Sequence, residues 1–291
     1  MDQSYPPRAG DGTRYDEDDG NVPEGDTVFA LARRLDSAMR GRVLTHGELR
    51  VPAHATADLA DRTVLEHVTH GKHLLTRLSG DLTLHTHLRM QGSWTVSREG
   101  KWLPRSVMPD VRVVLRTEGP AAYGVRLPVV ELIRTGDEDQ AVGYLGPDPL
   151  RTDWDATEAA RRLSADPGRA LVAALLDQRC VAGFGNLWVN ELCFLRGHFP
   201  WTPVSDVDLG ALLKLGARAL THSATVPGAM QVTTGNKRKG EQHWVAGRAG
   251  RPCLRCGTTI LVVDEVPNDP ERRRTWWCPH CQPEPANSPR P

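Results

Sequence analysis

The feature that most constrains this chain is a pair of cysteine pairs near its end. Cys253 and Cys256 are followed, after 21 residues, by Cys278 and Cys281. Each C-x2-C pair can grip one face of a tetrahedral ion through thiolates. This spacing reads as a zinc ribbon. Four sulfur ligands leave no open coordination position, so the single Zn2+ expected here is structural, not catalytic. A redox role for one C-x-x-C pair is the competing reading. The compartment weighs against a disulfide framework: no apolar run is long enough to span a bilayer, and the acidic start of the chain is no secretory signal. A cytoplasmic protein keeps its thiols reduced. Cys180 and Cys193 lie in apolar stretches that read as helical, and are expected to be buried.

The arm between the cysteine pairs carries Arg272, Arg273 and Arg274, just before Thr275-Trp276-Trp277. Lys237, Arg238, Lys239, Arg248, Arg251 and Arg255 lie upstream. A metal-fixed turn presenting arginines suits phosphate, whereas a bare basic run would be a solvated face. The formal net charge of zero by itself argues against a nucleic-acid partner, but the charge is unevenly spread. Residues 1–21 hold six acids against two bases, and the remainder has 34 Lys+Arg against 30 Asp+Glu. Only five of the basic residues are Lys, which with abundant Ala and Gly points to a high-GC bacterial genome.

Hydrophobic period divides the rest. Val28, Leu31, Leu35 and Met39 recur at helical spacing, with Gly41 as a stop and Glu24 and Asp26 at the positive end. From about 42 to 145 the pattern is short and alternating, as in Leu82, Leu84, Thr86 and Leu88, or Val111, Val113 and Leu115. Strands of this kind predict a sandwich or barrel. Helical patterning returns at about 155–163, 168–180, 185–195 and 206–222.

These residues resemble the formamidopyrimidine-DNA glycosylase and endonuclease VIII family over nearly all of residues 22–282. P-E-G-D-T at 23–27 is similar to the family's start. H-G-K at 70–72 matches its sheet-borne lysine, and H-L-R-M-Q-G-S-W at 87–94 its intercalation loop. L-G-P-D-P-L at 145–150 resembles the interdomain stretch, and D-Q-R-C-V-A-G-F-G-N-L-W at 177–188 the helix–two-turn–helix. G-R-A-G-R-P-C and R-R-T-W-W-C-P-H-C-Q bracket the ribbon. The resemblance implies an α+β clamp. Its parts are an extension at 1–22 that is disordered or non-native, a catalytic β-sandwich at 23–145, a linker at 146–155, a helical DNA-binding domain at 156–247, a zinc ribbon at 248–283 and a disordered tail at 284–291.

The activity implied is that of a bifunctional DNA glycosylase and abasic-site lyase of base excision repair. Its nucleophile is an N-terminal proline amine, here Pro23. Glu24 is implied as proton donor and Lys72 as a phosphate contact that assists catalysis. Met90 is implied as the wedge filling the gap left by the flipped base, flanked by Arg89 and Gln91. Asn186 and Arg273 are implied on the DNA backbone. Damaged double-stranded DNA is the expected partner, with single-stranded or forked DNA in the same class. The protein is expected to be a nucleoid-associated monomer. The short stretch 231–247 and the missing paired-arginine strand motif in 111–133 place it on the endonuclease VIII side, with oxidised pyrimidines as substrates. As written, Pro23 is internal, and its nitrogen is an amide with no nucleophilic lone pair. A GTG start codon at Val22, with removal of the initiator residue, would free it. A blocked Pro23 would leave a catalytically silent lesion or abasic-site binder. The histidines at 67, 70, 73, 85 and 87 are expected to pack or face DNA, because no carboxylate follows them at a chelating spacing.

Overall fold

The computed structural model describes residues 23–263 and 273–285. The expectations for residues 1–22, for Arg272 and for the tail from 286 lie outside the described residues. The first helix, α1 (Gly25–Met39), buries Val28, Leu35 and Met39 completely and leaves Leu31 half-buried on the same face. Its stripe packs on two antiparallel four-stranded sheets. One has the order β1 (His46–Leu49), β6 (Val111–Arg116), β7 (Ala121–Val125), β5 (Ser93–Ser97). The other has the order β2 (Val64–His70), β3 (His73–Leu78), β4 (Leu82–His87), β8 (Val129–Arg134). Leu44, Leu49, Leu74, Leu84, Val113 and Leu115 fill the core they share.

The alternation in β4 hides a second buried face. Leu82 and Leu84 point into the sandwich, but Thr83 and His85 are buried as well. The short helix α2 (Glu138–Val142) approaches that outer face, where Thr83 Oγ1 donates to Glu138 Oε1 at 2.7 Å. Arg77 from β3 completes the contact with a two-pronged ion pair to Glu138 at 2.9 and 2.6 Å. A bidentate guanidinium–carboxylate pair fixes direction as well as distance.

The second half is helical: α3 (Ala156–Leu163), α4 (Leu171–Leu176), α5 (Asn186–Arg196) and α6 (Leu209–Thr225). Leu171, Leu175, Phe184, Trp188, Leu192, Phe194, Leu212 and Leu213 make its core. Two helix limits differ from the periodicity. The expected helix over 168–180 is only Leu171–Leu176, because the Asp177 carboxylate accepts from the Arg179 amide and pairs with Arg169 and Arg179. That acidic turn breaks the helix, so Cys180 is half-buried in a turn, while Cys193 is fully buried in α5. The last helix starts at Leu209, after Asp208, whose side chain accepts from the Ala211 amide. An N-cap of this kind sets the start against the apolar pattern. The ribbon closes the chain with β9 (Leu261–Val263) antiparallel to β10 (Thr275–Trp277).

The segment from 146 bonds to both halves. Gly146 N donates to Gln178 O and Ala182 N to Pro147 O. Asp148 is buried and accepts from Gly71 N at 2.7 Å and Leu150 N at 2.8 Å.

Candidate active site

Three backbones converge on the turn before α5. Gly25 N donates to Gly183 O at 2.9 Å, and a Cβ on Gly25 would stand 2.8 Å from Gly183 Cα. A side chain there has no room. Gly71 opens the two-residue turn between β2 and β3 at φ +57°, and its Cβ would meet Ala182 Cβ at 3.2 Å. Glycine is what such a hairpin position favours. Lys72, the other turn residue, is thereby set at the same junction as Pro23 and Glu24. His70 Nε2 lies 3.0 Å from Gly146 O, and Asp148 accepts from Gly71, so the turn is tied down from below.

Glu24 does not serve its own helix, as its place before α1 suggests. Its carboxylate caps α5 instead, accepting from Gly185 N at 2.9 Å, Leu187 N at 2.8 Å and Trp188 N at 3.3 Å. A Cβ on Gly185 would sit 2.4 Å from Glu24 Cδ, so only glycine lets the carboxyl reach these donors. Burial pushes the Glu24 carboxyl up to about 7. The Lys72 charge and the backbone donors oppose that rise, and the Asp26 charge adds to it. The result is an acid that holds its proton near neutrality, as a general acid requires. Pro23, half-buried, immediately precedes it.

Asp26, two residues on, was legible only as a charge near a helix start. It is buried, and binds Trp188 Nε1 of α5 at 3.0 Å and Ser223 Oγ of α6 at 2.5 Å. The first turn of α1 is thus held by both central helices of the other half. Glu191 is a second buried acid that sequence reasoning passed over. It accepts from the successive amides of Trp244, Val245 and Ala246 at 2.9, 2.8 and 2.9 Å, and from the Thr233 hydroxyl. It anchors the loop leading to the ribbon.

At the β4–β5 connection the chain makes a tight loop, with Gly92 N donating to Leu88 O at 2.8 Å. A Cβ on Gly92 would meet that oxygen at 2.7 Å. Arg89 takes φ +45°, and Arg89, Met90 and Gln91 are all exposed, Met90 to 67%. An apolar side chain presented on a kinked tip is the form of a base-stack wedge.

The four ribbon cysteines bring their sulfurs within 4.8 Å of one another. Four thiolates at about 2.3 Å from a central Zn2+ would stand about 3.8 Å apart, so the donor set fits. Arg255 N also donates to Cys253 Sγ at 3.4 Å, which suits a charged thiolate. Asn186 opens α5 and donates through Nδ2 to Arg274 O at 3.0 Å; Asn190 Oδ1 accepts from Trp276 N at 2.8 Å. These two side chains hang the arginine-bearing arm on α5, with Arg273 half-buried and Arg274 exposed. Two of the upstream bases have other work. Arg248 is buried and donates to the carbonyls of His243, Trp244 and Pro252. Arg255 stacks over Phe194 and Trp244, at 4.3 and 5.2 Å.

The histidines form a chain that no sequence spacing shows. Tyr144 Oη meets His73 Nε2 at 3.1 Å, His73 Nδ1 meets His85 Nε2 at 2.8 Å, and His85 Nδ1 meets Glu131 Oε2 at 2.8 Å. The carboxylate comes from β8, across the sheet, not from the histidines' own strand. Burial, together with the neighbouring imidazoles and Lys72, pushes His73 down to about 3.

Known proteins resemble this chain in sequence and in fold. Residues 22–130 match the family described as Formamidopyrimidine-DNA glycosylase N-terminal domain. A Streptomyces coelicolor protein named probable endonuclease 8 2 is 50% identical over 272 residues, covering 93% of this chain and 96% of its own. The DNA-(apurinic or apyrimidinic site) lyase Nei2 of Mycolicibacterium smegmatis is 43% identical, covering 90% and 99%. The fold matches Lactococcus lactis Fpg in its complex with N7-benzyl-Fapy-dG DNA. There the TM-score is 0.72 at 22% identity, over 90% of this chain and all of that one. The same enzyme bound noncovalently to DNA with an AP site matches at a TM-score of 0.71.

Proposed function

We propose, because the chain belongs to the formamidopyrimidine-DNA glycosylase and endonuclease VIII family, that it excises oxidised pyrimidines from DNA and then cuts the strand at the abasic site. The observation that carries the reading is the protonatable Glu24, buried on the start of α5 beside Lys72 and directly after Pro23. The active chain begins at Pro23, whose free secondary amine is the nucleophile. An α-amino group titrates near 7.7–8.0 in model peptides, so about a tenth is neutral at pH 7.

The damaged nucleotide is extruded from the stack, and the Pro23 nitrogen attacks its C1′. The C1′–base bond breaks and the base leaves with a proton. The C1′–O4′ bond then opens with a proton going to the ring oxygen. Glu24 is placed to supply the proton that the leaving atom needs. The amine loses its proton and an iminium links Pro23 to the opened sugar. Its positive charge acidifies the C2′ hydrogens. Loss of one of them expels the 3′ phosphate by elimination, and water releases the enzyme from the remaining sugar. Lys72 holds the phosphate next to the lesion, where an ammonium acts as a point charge. Met90 fills the vacated stack, with Arg89 and Gln91 against the opposite base. Arg273 meets the DNA backbone from the arm, and Asn186 meets it from the start of α5, to which it ties that arm. One structural Zn2+ on Cys253, Cys256, Cys278 and Cys281 keeps that arm in shape; when bound, it supplies no chemistry to the reacting sugar.

The substrate test uses a chain that begins at Pro23. Duplexes carrying thymine glycol, dihydrouracil, hydroxylated cytosine or 8-oxoguanine are compared at equal enzyme. Release of the pyrimidine lesions in preference to 8-oxoguanine is expected, and the opposite preference overturns the substrate assignment. Intact mass of the native protein tests the start: a mass beginning at Pro23 is expected, and one that retains residues 1–22 contradicts it.

A further inference from the structure

Beside Glu24 lies a second buried carboxylate for which the proposed chemistry has no use. Every partner of Asp26 is a donor. Oδ2 takes the Ser223 hydroxyl at 2.5 Å and the Trp188 indole N–H at 3.0 Å, and Oδ1 takes the Thr27 amide at 2.8 Å. Ser223 is oriented by the loop after α6, since its oxygen accepts from Gln231 N at 2.8 Å. Gln231 is buried and non-glycine, yet stands at φ +53°, so its backbone is held in an unfavourable region by its surroundings. Burial raises the Asp26 carboxyl above its ordinary value, and the hydrogen bonds from the Ser223 hydroxyl, the Trp188 indole, the Thr27 amide and the Gln231 side chain oppose that rise. An ionised carboxylate, acceptor-only, can use every one of them. Glu24 differs: its donors are backbone amides alone, and it stands where the sugar must come.

We propose that Asp26 is a positioning residue for the reaction: it remains charged, anchors the start of α1 to α5 and α6, and by its charge keeps the proton on Glu24. This rests on the glycosylase reading of the same site. The other charges around Glu24 are few. Lys72 faces it from the β2–β3 turn and lowers its proton affinity. The Pro23 amine adjoins it along the chain. Asp148 lies beyond Gly183, and Glu191 lies further along α5, engaged by the loop at 244–246. Facing Asp26 from α5 and α6 are Trp188 and Ser223, both neutral. With the Asp26 charge present, two buried acids compete, and the less solvated by side-chain donors, Glu24, is the one that stays protonated.

The test titrates carboxyl 13C shifts in the DNA-free protein beginning at Pro23. Asp26 is expected to ionise at lower pH than Glu24; the reverse order overturns the proposal and needs no variant. In Asp26→Asn the Glu24 midpoint is expected to fall by about one pH unit. The high-pH limb of base release should fall with it. A residue with a purely structural role would lower the melting temperature and leave that midpoint in place, and this result also overturns the proposal. Trapping of abasic DNA by the unaltered protein separates the two levels: its absence removes the glycosylase reading, whereas the titration order speaks to Asp26 alone.

Discussion

The corner around Glu24 and the tip around Met90 are built in opposite ways. At the corner, Gly25 lies against the Gly183 backbone too closely for a Cβ, Gly185 leaves room for the Glu24 carboxyl, and that carboxyl is held by three amides at the start of α5. At the tip, Arg89, Met90 and Gln91 stand exposed on a five-residue loop with one residue at positive φ. The difference teaches which part of the work is done before DNA arrives. On the proposed mechanism, proton placement is preorganised in the free protein, where fixed dipoles need no rearrangement during the reaction. The wedge contacts proposed for Met90 would form only against an opened stack.

The strongest way to break this comparison is at Glu24. Glu24→Gln is expected to slow base release by about 10²- to 10⁴-fold. Capture of a preformed abasic site should persist, because the amine is untouched. In the unaltered protein the acid is protonated below its midpoint near 7 and is lost as pH rises through it. The Pro23 amine becomes neutral only as pH rises toward about 8. Base release measured under single turnover should therefore be greatest between about pH 7 and 8 and fall above that range. A rate that climbs steadily beyond about pH 9 contradicts the role. Next in size is Gly185→Ala, which drives a methyl into the Glu24 carboxyl. A loss of about 1–3 kcal/mol in denaturant unfolding is expected, with base release reduced as well. An equal loss of stability with full activity would show that the amide cradle is not what places the proton.

The tip should respond in the reverse sense. Met90→Ala is expected to leave unfolding within about 0.5 kcal/mol of the parent. It should slow excision from duplex DNA by about tenfold, equivalent to about 1.4 kcal/mol. A marked drop in stability would mean that Met90 is part of the packing. The smallest effect is expected at the ribbon. Arg273→Ala should weaken binding to all sequences alike and reduce the salt slope by about one contact. An unchanged slope removes Arg273 from the phosphate contacts.

How much of this was legible in the sequence depends on the kind of interaction. The ribbon cysteines read clearly because a metal site needs given residue types at given spacings. The stripe of α1 read clearly because a helix face has a fixed period. Glu24 and Lys72 were found through motif resemblance, yet their proximity depends on glycine contacts that a period does not show. Asp26, Asp148 and Glu191 were missed as anchors, since their partners are amides and hydroxyls distant in the chain. Any acid can play that part, and nothing in the local sequence marks it. Arg248 and Arg255 erred the other way. A basic run suggested phosphate, whereas one is buried on carbonyls and the other lies on aromatic faces. Charge alone does not tell a solvated arginine from one that holds a loop.

The account stands or falls on the nitrogen of Pro23. The direct measurement is borohydride reduction of the zinc-loaded protein, beginning at Pro23, with an abasic-site duplex, followed by peptide mass mapping of the linked product. A stable conjugate with the sugar remnant on Pro23 is the predicted result, absent when residues 1–22 precede it. No conjugate, or one carried by Lys72 or another amine, contradicts the account.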